Sequence, residues 1–218
     1  MRPGNSIRKR NYQLSIINCQ LMITLFLLSS NTADAQRWPF DYWHDGKMIL
    51  ESGDTLKGKI KYSITDDIIQ LEQNNRFQSF TARKIVTFEI FDATSSRYRN
   101  FYSIPYSFSG GYKAPVFFEL LAEGKLTLLS REALENRTSS VGYGYGSYSR
   151  VELVNKYFVL NSKGQIDTFT GHKNDMMDLM ADRDDEVKKF MKVNRLNASN
   201  KNELSKIFEY YNSIVGKK

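Results

Sequence analysis

The two histidines, His44 and His172, are the side chains of this sequence best suited to acid–base catalysis or metal binding. They stand far apart, and neither belongs to an H-E-x-x-H pattern or to another spacing that would supply the ligands of a zinc site. No serine occupies the G-x-S-x-G turn of the α/β hydrolases. The sequence therefore predicts no catalytic residue, no metal site and no cofactor, and it predicts a surface or capping role for His172.

Glycoside hydrolysis needs only two acidic side chains placed across a sugar, so the carboxylates are the next candidates. Five of them lie in or beside predicted strands: Asp66, Asp67, Glu89, Glu119 and Glu152. No motif pairs any two of them, and carboxylates on the solvated face of a sheet usually keep a protein soluble. We expect that role for all five, and a non-enzymatic protein is favoured over an enzyme.

A run of tyrosines spaced by glycine and serine suggests a site that binds rather than reacts. Tyr143, Tyr145 and Tyr148 lie within Glu132 to Arg150, a stretch without periodicity that predicts a long surface loop. The glycines between them do not indicate a dinucleotide loop, because a strand rather than a helix is predicted next. Tyrosine anchors on flexible spacers are typical of recognition loops. The alternative is a connector that binds nothing.

Aromatic side chains also crowd the N-terminal stretch QRWPFDYWHD, which contains Trp38, Phe40, Tyr42 and Trp43. Such dense aromatics either pack over one end of a sheet or form an exposed platform that stacks on a sugar or a peptide. Trp38 and Trp43 are therefore predicted ligand-binding residues, together with Tyr143, Tyr145 and Tyr148.

A cationic stripe, Lys57, Lys59 and Lys61, is predicted on one strand, with Arg76, Arg97 and Arg99 as neighbours. The stripe is either a solvated strand face or a surface for an anionic glycan or a lipid headgroup. Nucleic acid is not an expected partner, because the net charge of the chain is modest.

The lysine stripe belongs to the best-specified element of the chain, a β-hairpin from Lys47 to Tyr62. Apolar and polar residues alternate on both sides of a turn at Ser52, Gly53 and Asp54, which predicts one buried and one solvated face. Gly58 falls on the apolar face, where it suggests a bulge or a close backbone contact.

Further strands and then helices follow this hairpin. Alternation is interrupted by the predicted loop at Glu132 to Arg150 and resumes up to Thr170, and Val116 to Leu121 and Lys125 to Ser130 are apolar enough to be buried on both faces. From Gly171 the period becomes helical, and Asn200 is predicted to cap a last helix with Glu203. Its apolar stripe contains Leu204, Ile207, Phe208, Tyr211 and Ile214. These patterns predict an α+β fold: an antiparallel β-sheet or partly closed β-barrel followed by two or three short C-terminal helices.

The N-terminus has the three parts of a secretory signal peptide. Basic residues precede an apolar segment at Leu21 to Leu28, and Ala33-Asp34-Ala35 provides small residues for cleavage after Ala35. We therefore predict a signal peptide at 1–35, an antiparallel β domain at 36–171 and a helical segment at 172–218 packed on it. Cleavage would reduce the formal charge from +7 to +4, because the leader holds four basic residues and one acid. It would also remove Cys19, the single cysteine, so no disulfide is expected.

Three segments resemble uncharacterised secreted, β-rich proteins of Bacteroidota. They are SGDTLKGKI at Ser52 to Ile60, FFELLAEGKLTLL at Phe117 to Leu129, and ELSKIFEYYNSI at Glu203 to Ile214. The resemblance implies an exported protein of the periplasm, the outer-membrane surface or the exterior, and it implies no reaction. The resulting expectation is a non-enzymatic envelope or secreted protein that binds a glycan, a lipid or a protein, or serves as a structural accessory. The alternative is a carbohydrate-active or lipid-handling protein that uses the mouth of the barrel.

Overall fold

The computed structural model describes residues 37–63, 65–108, 110–140 and 146–216. They form ten strands and then three α-helices, α1 (Lys173–Leu179), α2 (Asp184–Asn194) and α3 (Lys201–Val215). The strands are β1 (His44–Leu50), β2 (Thr55–Ser63), β3 (Ile68–Gln73), β4 (Arg76–Thr81), β5 (Ile85–Asp92), β6 (Arg97–Tyr106), β7 (Ala114–Ala122), β8 (Leu126–Ser140), β9 (Ser147–Asn161) and β10 (Ile166–Phe169).

The strands make one antiparallel sheet in the order β10-β9-β8-β7-β6-β5-β1-β2-β3-β4. The sheet does not close through backbone pairing, so among the described residues β4 and β10 are its edges. The predicted α+β class is therefore confirmed, in its open form. Strand β1 lies between β2 and β5, because the chain returns after β4 to pair β5 with the free side of β1.

The predicted hairpin is β1 and β2, and its glycine has the expected role. A Cβ on Gly58 would lie 2.3 Å from the carbonyl oxygen of Glu72 in β3. Such a distance is far inside normal contact, so only glycine lets the two backbones approach this closely.

Side-chain contacts join distant strands of the sheet, although its backbone pairing does not close into a barrel. The Tyr62 hydroxyl on β2 donates to the Glu132 carboxylate on β8 at 2.8 Å. Four strands separate β2 from β8 in the sheet order, which in a flat sheet would place them about 24 Å apart. The inner face of the sheet, which contains Tyr62 and Glu132, is therefore folded towards itself.

Strands β7 and β8 pair over only part of their length. Pairing between these strands stops at Glu119 with Ser130. Beyond that point Asp67, from the β2–β3 turn, accepts the backbone N–H of Phe117 at 2.8 Å, and Arg131 donates to the carbonyl oxygen of Phe117 at 2.7 Å. These two side chains replace the missing strand partner.

The predicted loop from Glu132 to Arg150 is wrong over most of its length. Strand β8 continues to Ser140 and β9 begins at Ser147, and the two remain paired up to Ser140 with Ser147. Ion pairs across the ribbon, such as Arg137 with Glu152 at 3.0 Å, hold the charged side chains together. The sequence did not reveal these strands, because polar and charged residues occupy both faces of the ribbon and leave no alternation of apolar with polar residues to detect.

The sheet is buried on both of its faces near its centre. Phe117 belongs to the inner-face core with Met48, Ile60 and Phe88, while its neighbour Phe118 packs on the opposite face. Strand β7 is thus covered on both sides, as its apolar run predicts.

A third core joins the helices to the inner face of the last strands. Helix α3 buries four of the five residues of the predicted stripe, Leu204, Ile207, Phe208 and Tyr211, against a sheet surface that includes Phe169, while Ile214 is half-buried. The Asn200 side chain accepts the N–H groups of Asn202 and Glu203, which confirms the cap. Glu203 does not complete a capping box with Asn200, because its carboxylate accepts the N–H of Asn197.

Candidate ligand-binding surface and buried charge network

The aromatic N-terminal segment divides into an inward and an outward half. A 3₁₀ turn at Pro39–Asp41 directs Phe40 against Tyr62 in the core, with ring centroids 6.4 Å apart. His44 is buried behind this turn, with Nε2 2.8 Å from the carbonyl oxygen of Pro39 and Nδ1 3.3 Å from that of Phe91. Trp43, between these anchors, is 37% exposed. One half of the segment therefore packs on the core, while Trp43 in the other half is exposed, as the stacking role would require.

Trp43 joins aromatic side chains that come from distant parts of the sequence. Its ring packs on Phe77 of β4 at 5.7 Å, so the indole extends across β2 and β3 to reach it. Phe91 on β5 packs on Tyr98 of β6 at 5.2 Å. Phe77 and Tyr98 are 67% and 65% exposed. We call Trp43, Phe77, Phe91 and Tyr98 the aromatic strip.

Strand register explains why the strip is continuous. Direct cross-strand partners share one face of a sheet, and the pairs Phe91 with Tyr98 and Glu72 with Phe77 are such partners. Between them, Asp45 pairs with Lys59 and Lys59 with Glu72. The strip therefore crosses the outer face of six strands, with aromatics at both ends and charged residues in its middle.

A groove of about 430 Å³ follows the β5 side of this strip. It is lined by Tyr42, Trp43, His44, Asp45, Lys59, Phe91, Ala93 and Thr94. Exposed aromatic faces next to hydrogen-bonding side chains can stack on the apolar face of a sugar ring and hold its hydroxyl groups. Trp38 is half-buried and does not line the groove.

The predicted lysine stripe lies on the same outer face, but its members differ. Lys59 pairs with Asp45 at 2.7 Å, and the neighbouring Lys47 pairs with Glu89 at 3.2 Å. Lys57 and Lys61 make no ion pair with another described residue. The stripe thus keeps two cations that the surrounding carboxylates do not neutralise.

The tyrosine site predicted around position 145 is only partly described. Tyr143 and Tyr145 lie outside the described residues, while Tyr148 is on β9 opposite Ser139 and is 50% exposed. Tyr148 has no ring contact with the aromatic strip among the described side chains.

Sequence reasoning missed a buried charge network on the inner face. Arg99 was expected beside the lysine stripe and Glu119 on a solvated face, and both expectations are wrong, because each residue is no more than 4% exposed. Arg99 occupies the inner face of β6 together with buried Phe101. The alternation of apolar and polar residues was misleading here. A charged residue at an inward-facing position looks like a solvent-exposed residue until its buried partners are known.

Arg99 is the centre of the network. Its Nε and Nη2 donate to the two oxygens of Glu119 at 3.0 and 2.6 Å, and Nη2 also donates to Glu132 at 2.6 Å. Nη1 donates to the Tyr62 hydroxyl at 3.0 Å, and Lys201 at the start of α3 donates to Glu119 at 2.6 Å. One guanidinium thus links β2, β6, β7 and β8, and through Glu119 it reaches α3.

Burial and charge set the protonation of these groups. Burial by itself raises the pKa of Glu119, but Lys201 and Arg99 outweigh it, so that pKa lies below its ordinary value. Burial raises the pKa of Tyr62 well above its ordinary value, although Arg99 opposes the shift. Glu119 is therefore ionised and Tyr62 is a neutral hydrogen-bond donor at neutral pH.

The space beside the network is too small for a substrate. A cavity of about 20 Å³ is lined by Tyr62, Phe117, Glu132 and neighbouring residues, which is room for about one water molecule. Both carboxylates already accept hydrogen bonds from Arg99. The arrangement stabilises the curled sheet and does not resemble an open acid–base pair.

Three of the remaining carboxylate candidates, Asp67, Glu89 and Glu152, have ion-pair partners. Asp67 pairs with Arg131 at 2.7 Å, and Glu152 pairs with Arg137. His172 is exposed at the N-cap position of α1. Among the described residues, no group of histidine, cysteine and acidic side chains is arranged to hold a metal ion.

No protein-family model, no curated protein and no solved structure matches this chain. In the part of the chain that the structure describes, no helix combines the length and apolar character needed to cross a membrane.

Proposed function

We propose that this protein is an exported, non-enzymatic envelope or secreted protein that binds a glycan on its aromatic strip. The observation that carries the proposal is the continuous exposure of Trp43, Phe77 and Tyr98 on one face of the sheet. Single exposed aromatics are common on protein surfaces, but a strip assembled from three strands and the segment before β1, beside a groove, indicates an interaction surface.

The chemistry of the surroundings supports a sugar rather than an apolar partner. The groove beside the strip contains Asp45, Lys59 and Thr94 within reach of Trp43 and Phe91. Rings stack on the C–H faces of a pyranose, and the polar side chains exchange hydrogen bonds with its hydroxyls.

Export is proposed from the N-terminal sequence, and it is tested separately from binding. Mass spectrometry of the protein recovered from the envelope or medium is expected to find Gln36 as the first residue. Recovery of the chain with its leader attached would contradict the export proposal.

Binding is tested by native electrophoresis of the mature chain in gels that contain a neutral β-glucan, a chitin derivative or a polyuronate. We expect at least one polysaccharide to retard the protein, and Trp43→Ala to weaken that interaction about tenfold, because a stacked aromatic contributes ~1.5 kcal/mol. Tyr112→Ala is the matched control, since it removes an aromatic side chain that is 78% exposed and lies outside the strip. Equal retardation of both variants, with unchanged melting temperatures, would contradict the site.

A second candidate function, lipid handling, is favoured by an apolar groove elsewhere on the same outer face of the sheet, over β6 to β9. This groove measures about 260 Å³, and its apolar lining is Val86, Tyr102, Ile104, Leu120, Leu129 and Leu160. It lies on the face of an open sheet rather than in a barrel mouth. Binding of a fluorescent fatty-acyl probe that Leu120→Gln abolishes, and Trp43→Ala leaves intact, would favour this function.

A further inference from the structure

We infer that the ligand of the aromatic strip is an extended, anionic polysaccharide that lies across the strands. The inference rests on the proposed glycan-binding function and adds the length and the charge of the ligand. The structure provides a separate observation for each.

The length of the ligand is inferred from the distance between the two ends of the strip. Tyr98 is on β6 and Phe77 is on β4, and the sheet order β6-β5-β1-β2-β3-β4 places five strand spacings between them. At about 4.8 Å per spacing the path is ~24 Å long. A monosaccharide can contact only one end, whereas a chain of several sugars can stack on both Tyr98 and Trp43.

The charge of the ligand is inferred from two lysines, Lys57 and Lys61, that flank the middle of that path. Lys57 and Lys61 lie two residues before and after Lys59 on β2, so they flank the line of the strip at about 7 Å on either side. Asp45 already neutralises Lys59, but neither flanking lysine has an ion-pair partner among the described residues. Glu72 is the one further carboxylate along the central line, so the line itself carries one negative charge and the two flanking lysines bring the surface to a net charge of +1.

A like-charge contact supports the same conclusion. Lys57 stands directly opposite Lys47 in the β1–β2 pair. Like charges directly opposite one another destabilise a sheet, and Glu89 compensates only Lys47. A carboxylate or phosphate on a bound chain would neutralise Lys57, so the unfavourable pair is explained by an anion that binds there.

The experiment uses Trp fluorescence titrations of the mature chain with oligogalacturonates of increasing length, and with neutral cello-oligosaccharides of the same lengths. Affinity for the acidic series is expected to rise with length until the oligomer spans the strip. It is expected to exceed affinity for the neutral series about tenfold and to fall as salt is added. Tyr98→Ala should weaken binding of long oligomers only.

A matched pair of charge variants isolates the lysines. The double change Lys57→Gln with Lys61→Gln should weaken binding of the acidic oligomers about tenfold and remove most of its salt dependence. The control, Lys163→Gln with Lys189→Gln, removes the same charge from exposed positions on a turn and on α2, and it should bind as the unmodified chain does.

The outcomes separate this inference from the function on which it rests. Equal affinity for both oligosaccharide series would overturn the anionic ligand and leave glycan binding intact. Absence of binding to either series would overturn both. Binding to vesicles of anionic phospholipid, dependent on Lys57 and Lys61 and without oligosaccharide binding, would assign the surface to a membrane instead and would also overturn both.

Discussion

Replacement of Arg99 by methionine tests whether the buried charge network holds the curled sheet together. Methionine keeps the length of the side chain but removes the donors to Glu119, Glu132 and Tyr62. Removing one partner of a buried ion pair usually costs ~3–5 kcal/mol, because the other charge stays buried without compensation. Glu119 keeps Lys201, at 2.6 Å, so the expected loss lies within this range although three carboxylates are affected, the third being Asp92 at 3.7 Å from Nη1.

The assay is urea denaturation of the mature chain at neutral pH, followed by circular dichroism. With an m-value of ~2 kcal/mol/M, a loss of ~4 kcal/mol lowers the midpoint by about 2 M. The matched control is Arg183→Met, because Arg183 forms an ion pair with Glu186 at 3.3 Å in which both side chains are exposed, by 45% and 48%. Exposed pairs contribute ~1 kcal/mol or less, so the control should shift the midpoint only slightly. A loss below ~1 kcal/mol for Arg99→Met would refute the structural role of the network.

The other predictions concern pH and the last helix. Because the pKa of Glu119 is lower in the folded chain than in the unfolded chain, its contribution to stability is complete above the unfolded pKa of about 4.3 and is lost as pH falls through the folded value. Urea midpoints measured across the acid range should therefore fall with pH, and Glu119→Gln should flatten that slope; an unchanged slope would contradict the assignment. Phe208, fully buried against Phe169, should lose ~3–5 kcal/mol on change to alanine, and a calorimetric loss below ~1 kcal/mol would mean that α3 is peripheral.

Local periodicity was sufficient to predict the hairpin and the last helix. The alternation around Gly58 assigns Ile60 to the core and Lys59 to solvent, and the structure buries and exposes them accordingly. The helical stripe from Leu204 to Tyr211 is likewise buried. These predictions succeed because period two and period 3.6 are properties of the backbone itself, so a contiguous segment carries the whole signal.

The β8–β9 ribbon shows where that signal is absent. The half of the ribbon nearest Ser140 and Ser147 is held by cross-strand pairing and by ion pairs such as Arg137 with Glu152, with little apolar burial. A polar strand paired with another polar strand has no alternation to detect, so the sequence predicted a loop.

The candidate site and the charge network were decided by tertiary structure alone. Trp43 could be singled out from its dense aromatic neighbourhood, but Phe77 and Tyr98 joined it only because the sheet order and register place them on one face. Arg99 and Glu119 are buried because the curled sheet brings their partners from β2, β8 and α3 within hydrogen-bond distance. The sequence by itself determined which residues face inward in the first hairpin and the last helix, while the curl of the sheet determined the inward position and the partners of Arg99 and Glu119, since contacts between distant strands depend on the packing of the whole domain.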